Sequence, residues 1–182
     1  MSLIPDWAPN LHPLVVPFPI VLLITAAIVD LVDAVFERPR WLATAATSLY
    51  LAGAGAAITA YLTGLQAGST VYLPGMAHPV LDNHRRWALA TTGYASLFAL
   101  TRLVAQRAGL PRNRRHRLVL LALSIVGAVL VQQTAERGAR LVYQHGVGVI
   151  AAPPPNPLAV LRLLWSTGAS VPAHSVLPVR TA

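Results

Sequence analysis

The stretch RLVLLALSIVGAVLVQQTAERGARLVYQHGVGV, Arg117 to Val149, decides how the rest of the chain is read. It leaves a basic cluster and crosses an apolar run from Leu118 to Val131. It then passes Gln132, Gln133 and Glu136-Arg137, and closes on Tyr143, His145 and two spaced glycines. An apolar run with a basic flank at one end and Arg and Tyr at the other is the pattern of a membrane-spanning helix. Tyr143, His145 and Gly-Val-Gly-Val fall where that helix reaches the interface, so the surroundings of His145 become the functional question.

Three further runs of the same kind precede it. Leu14 to Phe36 is an apolar stretch of ~23 residues, roughly 34 Å as a helix. Pro17 and Pro19 lie in its first turns, where a missing amide donor costs least. The second span covers about 41–66 and the third about 84–107, with the fourth at 117–143. Ala56, Ala60 and Gly64 at spacing four in the second span form a small-residue stripe that lets another helix approach. The links are short, so the expected fold is an all-α, integral-membrane, antiparallel four-helix bundle in residues 1–150. After Ile150 the chain turns Pro-rich, and 157–166 is expected to form a short interfacial helix anchored by Trp165 within the tail 151–182.

Composition agrees. Hydrophobic residues make up 55% and charged residues 11%, with a mean hydropathy of +0.57, which places the chain in a bilayer rather than in water. The formal charge is +8 and all 14 basic residues are arginine. They cluster at the ends of apolar runs, which the positive-inside rule explains better than nucleic-acid binding does. With no cysteine, disulfides, thiolate-held clusters, c-type haem attachment and cysteine nucleophiles are excluded. Nothing basic precedes the first apolar run, so no cleavable signal peptide is expected. No phosphate-binding glycine loop, Gly-x-Ser-x-Gly elbow or His-Glu-x-x-His is present.

Orientation follows from the arginines. Arg38 and Arg40 in the first link share a side with Arg107, Arg112, Arg114, Arg115 and Arg117 around the third. That side is read as cytoplasmic, with both termini outside the bacterial inner membrane. Arg85, Arg86, Arg137 and Arg140 break the rule by lying at the outer end. Counting residues away from each turn brings His12, His78, His84 and His145 to that same outer level.

Two imidazoles facing each other between helices are what a b-type haem needs as axial ligands. The expected pair is His84 and His145, with His12 as the substitute. Arg85, Arg86, Arg137 and Arg140 are expected to meet the propionates, with Tyr143 beside them. Gly146 and Gly148 would let the backbone pass close to a flat ring. Against this stands the plainer reading, in which histidines and arginines at helix ends serve the interface alone. Zinc, copper or another small ligand would also suit imidazole. Asp30, deep in the first span, is expected to pair with Arg102 or to accept bonds from hydroxyls, while Asp33 lies near the inner interface. Gln132, Gln133 and Thr134 stand level with Thr91 and Thr92, a polar patch suited to helix–helix bonding or to a quinone headgroup.

Several of these residues resemble a known family. His12-Pro13, Val16-Pro17-Phe18-Pro19-Ile20, Asp30-Leu31 and Leu141-Val142-Tyr143-Gln144-His145-Gly146-Val147-Gly148-Val149 are similar to the four-helix bacterial membrane family called domain of unknown function 2231, over about residues 10–150. That family's pattern reads His-Pro-x-x-Val-His-Phe-Pro-Ile, and Pro17 stands here where its second histidine would be, so any ligand role of that histidine is lost or passes to His12. The domain occurs beside cytochrome c or Rieske modules, which implies a redox assembly. The resulting expectation is a b-haem electron-transfer or accessory subunit rather than an enzyme by itself, among lipids and redox partners. The alternatives are a cofactor-free scaffold, docking through the small-residue stripe and the tail, and a bundle that binds or transports a small ligand or metal.

Overall fold

The computed structural model describes residues 10–36, 40–111, 113–149 and 165–166. Five helices carry the described chain: α1 (His12–Val15), α2 (Pro17–Phe36), α3 (Arg40–Thr70), α4 (His78–Arg107) and α5 (Arg114–Tyr143), with a 3-10 turn at Gly75–Ala77 before α4. Four of the resulting stretches are long and apolar enough to cross a membrane: His12–Phe36, Trp41–Thr70, Gly75–Arg107 and Arg114–Tyr143. The all-α, four-span architecture expected from the sequence is what the chain forms.

The helix ends differ from expectation in instructive ways. α4 begins at His78 rather than near His84. Pro79 sits in its first turn, where the amide it lacks has no helical acceptor anyway. Ala77 and Leu81 are buried with Leu141, and Val147 packs against them, so apolar contact extends the helix outward. His84 therefore lies inside a helix and not at its mouth. At the first span, the Asn10 side chain accepts the His12 amide at 3.1 Å. α1 ends at Val15, two residues before Pro17, since Pro17 and Pro19 cannot donate to the turn before them. α5 is capped by Asn113, whose side chain accepts the His116 amide at 2.8 Å.

α2 packs on α3 and α5, and α4 packs on the same two helices, so α2 and α4 stand at diagonal corners, with α1 seated on α3. The core is built from Leu23, Ala26, Tyr50, Ala54, Ala95, Phe98, Ala99 and Val131. Small residues bring backbones close: a Cβ on Gly53 would lie 2.7 Å from Leu23 Cδ2. Large apolar side chains such as Phe18, Ile28, Leu97 and Ile125 face outward, as they do when lipid is the solvent. Residues 1–149 and 150–182 form two separate units. Of the second, only Trp165 and Ser166 are described, both helical and exposed; the rest of the expected 157–166 helix lies outside the described residues.

Candidate functional site

Two histidines from diagonal corners are fixed in the same manner at one end of the bundle. On α1, His12 Nδ1 lies 2.9 Å from the carbonyl oxygen of Ala60 on α3, with Thr63 Oγ1 at 3.3 Å. On α4, His84 Nδ1 lies 3.1 Å from the carbonyl oxygen of Thr134 on α5. A carbonyl only accepts, so Nδ1 carries a proton in both rings, and in the neutral ring Nε2 then keeps its lone pair. In each case the carbonyl belongs to residue i and the ring rests on a glycine at i+4. A Cβ on Gly64 would lie 2.9 Å from His12 Cε1, and one on Gly138 would lie 3.1 Å from His84 Cε1. The two imidazoles are within electrostatic reach of each other, and Arg137 and Arg85 act on His84 as well.

His145 occupies a different setting. It lies two residues beyond the end of α5, partly exposed, in a turn that closes the helix. Gly146 N donates to Val142 O and Val147 N to Leu141 O, both at 2.9 Å. Gly146 has φ 64°, and Val147 packs on the cluster that holds Leu141. With Gly146 left-handed at C′, its 5→1 bond to Val142, backed by the wider Val147-to-Leu141 bond and an apolar clasp, makes the αL stop of a helix. Gly146 and Gly148 have open space where a Cβ would go, so positive φ, not close approach to a ring, accounts for glycine there. The close-approach glycines are Gly64 and Gly138. Reading the Ala60–Gly64 stripe as helix packing alone missed the first, and only the α4–α5 register reveals the second. The stripe is filled from within the bundle by His12, which leaves Ala60 buried.

The arginines at this end of the bundle do not act as one group. Arg137 stacks over the Trp87 ring at 4.2 Å from its centroid, and its Nη1 donates to Gln133 O at 2.6 Å and Gln133 Oε1 at 2.8 Å. Arg140 pairs with Glu136 one turn back on the exposed surface. Arg85 reaches α3 at Gly68 and stands 3.7 Å from Asp82. Arg86, Tyr143 and His78 are exposed. Of the expected polar patch, Thr134 Oγ1 meets Thr91 Oγ1 at 2.7 Å, Thr92 turns toward Ala57 O on α3, and Gln132 faces outward.

Deeper in the bundle, each long helix contributes one polar side chain to a second cluster. Arg102 on α4 makes two bonds to Asp30 on α2, at 2.8 and 2.9 Å, so the expected pair forms. Ser124 on α5 donates to Asp30 Oδ2 at 2.6 Å. Tyr50 on α3 lies with its ring 4.9 Å from the Arg102 guanidinium, which also covers Phe98. Both acceptance from a hydroxyl and pairing with Arg102 therefore hold for Asp30. Tyr50 and Ser124 gave no sequence signal, since a lone Tyr or Ser in an apolar helix is ordinary.

The model of one family, described as "Predicted membrane protein (DUF2231)", matches residues 8–151. The chain belongs to the DUF2231 family. No curated protein and no solved structure matches this DUF2231 chain. The match spans the whole bundle, from the His12 anchor to the turn after α5, and stops where the Pro-rich segment begins. Among the described residues of this DUF2231 bundle, no three or more His, Cys, Asp or Glu side chains gather as a metal-holding group. What the site offers is a pair of imidazoles.

Proposed function

We propose that this DUF2231 protein is a membrane subunit of a bacterial redox assembly that holds one b-type haem between His12 and His84. The single observation carrying this reading is the matched fixation of the two rings from diagonal helices. A metal-ligating histidine characteristically donates its second ring nitrogen to a carbonyl or carboxylate, which sets tautomer and orientation. Both rings satisfy that condition through Nδ1, leaving two Nε2 lone pairs for an axial pair. Gly64 and Gly138 leave room for the rings against α3 and α5. When bound, such a group supplies one-electron transfer through its iron. The protein's own contribution is to hold both imidazoles neutral and oriented, to surround them with apolar helix, and to set positive charge nearby through Arg85 and Arg137. The small net cationic field there favours an anionic cofactor and anionic partner surfaces. A cytochrome c or Rieske protein on the outer face of the inner membrane fits as electron partner, as the modules found beside this domain imply.

A second reading has its own support. The same two bonds staple α1 to α3 and α4 to α5, which is what a cofactor-free anchoring subunit would use. Absorption spectroscopy separates the two. Protein purified from a haem-replete membrane should show a Soret band that shifts on dithionite reduction. His12→Ala and His84→Ala should each abolish or shift it, whereas His145→Ala should leave it in place. A colourless wild-type protein with intact helicity would sink the haem reading and leave the scaffold.

A further inference from the structure

Between the outer ends of α4 and α5 lies a cleft of about 310 Å³, at the lower end of the sizes that small-molecule sites occupy. Pro79 and Val80 give it an apolar wall, while Asn83, Arg137, Arg140 and Gln144 present donors and Glu136 an acceptor. It does not open on the side where His84 packs. Thr134, Gly138 and Leu141 turn toward His84 and the buried core. Arg137, Arg140 and Gln144 form the adjoining stripe of α5, facing outward.

We propose that this cleft binds the phosphate and glycerol of an anionic phospholipid headgroup. Its position at the ends of two membrane spans is the depth at which headgroup phosphates lie, and basic pockets between such helices take anionic headgroups. Arg137 is held ready: the Trp87 face and the Gln133 carbonyl fix its plane, and its Nε–H is buried without a partner. Arg140 is free to turn, because its bond to Glu136 is a surface pair that contributes little. With two guanidinium groups and one carboxylate, the lining keeps a positive charge for a phosphodiester. Asn83 and Gln144 supply neutral donors or acceptors for the glycerol hydroxyls. Apolar contact with Pro79 and Val80 accommodates the start of the acyl chains. This assignment does not depend on whether a cofactor sits between His12 and His84.

The test uses the full chain, delipidated in detergent and incubated with phosphatidylglycerol or phosphatidylcholine of matched acyl chains, with retained lipid read by native mass spectrometry. Phosphatidylglycerol should be held about tenfold more strongly, the scale of one charge-assisted contact. Arg140→Gln and Arg137→Gln should each remove most of that preference, and Arg114→Gln at the opposite end should leave it unchanged. Arg140 lies on the surface, so its replacement keeps the fold, and circular dichroism confirms helicity for both variants. Equal retention of the two lipids, or a preference that survives both cleft substitutions, would overturn the proposal. Displacement of the lipid by millimolar inorganic phosphate would overturn it too, by making the cleft a site for a free anion.

Discussion

Asp30 and Arg102 face each other across the diagonal of the bundle through two parallel hydrogen bonds, Nη1 to Oδ2 at 2.8 Å and Nη2 to Oδ1 at 2.9 Å. Each follows a site histidine by the same interval, His12 to Asp30 and His84 to Arg102 both being 18 residues. At a helical rise that is roughly 27 Å, so the bundle carries polar groups at two levels: histidines tied to neighbouring helices near one end, and a cross-diagonal rung deep inside. The deep rung has almost no access to solvent, with both residues near 5% exposed. It locks the relative height of α2 and α4, because sliding either helix by one turn would leave a charge buried and unpaired.

Removing one member of that rung should therefore cost more than removing both. Asp30→Asn or Arg102→Leu is expected to destabilise the protein by about 3–5 kcal/mol, whereas the Asp30→Leu/Arg102→Met double variant should recover most of the loss. Thermal unfolding in detergent reads both. Similar melting temperatures for the single variants and the wild type would show that the pair contributes no lock.

The histidine-bearing glycines make a sharper test. Gly138→Ala and Gly64→Ala press a methyl group against His84 and His12, at 3.1 and 2.9 Å from Cε1. Overpacking of this kind costs about 1–3 kcal/mol. Gly55→Ala, where nothing lies within 4 Å, should instead stabilise the exposed helix by about 0.5–1 kcal/mol. If all three variants melted together, the rings would not be seated on those glycines.

At the end of α5, Gly146→Ala forces a side chain into φ 64°. A loss of about 1 kcal/mol is expected, confined to the last turn of the helix. Hydrogen exchange should show faster opening at Val142 to Val147, with the His84 contact intact. Faster exchange spreading to Thr134 would mean that the turn supports the site directly.

Absence of cysteine makes the membrane orientation easy to test. Ser69→Cys at the end of α3 should react with an impermeant maleimide applied to whole cells, while Arg114→Cys at the start of α5 should react only after permeabilisation. Reversed labelling would invert the topology that the arginine distribution predicts.

How much was legible beforehand depends on whether a feature is local. The spans, their antiparallel order and the Asp30–Arg102 pair follow from apolar run length, link length and the cost of leaving a charge alone in hydrocarbon. Helix ends were less legible. His78-Pro79 falls outside the expected third span of about 84–107, yet a proline in the first turn is compatible with a helix, and α4 begins there. The Leu141-to-Val149 ending was the most distinctive string in the chain, but its spacing specifies a helix stop. Gly146 takes the left-handed position of an αL helix stop and Val147 packs on the cluster that holds Leu141, and His145 is carried along within that turn.

The sequence by itself determined a four-span helical membrane bundle, because solvent preference and backbone hydrogen bonding inside a bilayer leave almost no other option. Only the tertiary structure decided that His12 is the histidine brought near His84, and that Arg137 and Arg140 face a cleft on another side of α5. Those facts rest on helix rotation and register. One residue along a helix turns a side chain by about 100°, and counting residues from the turns fixes a level without fixing a direction.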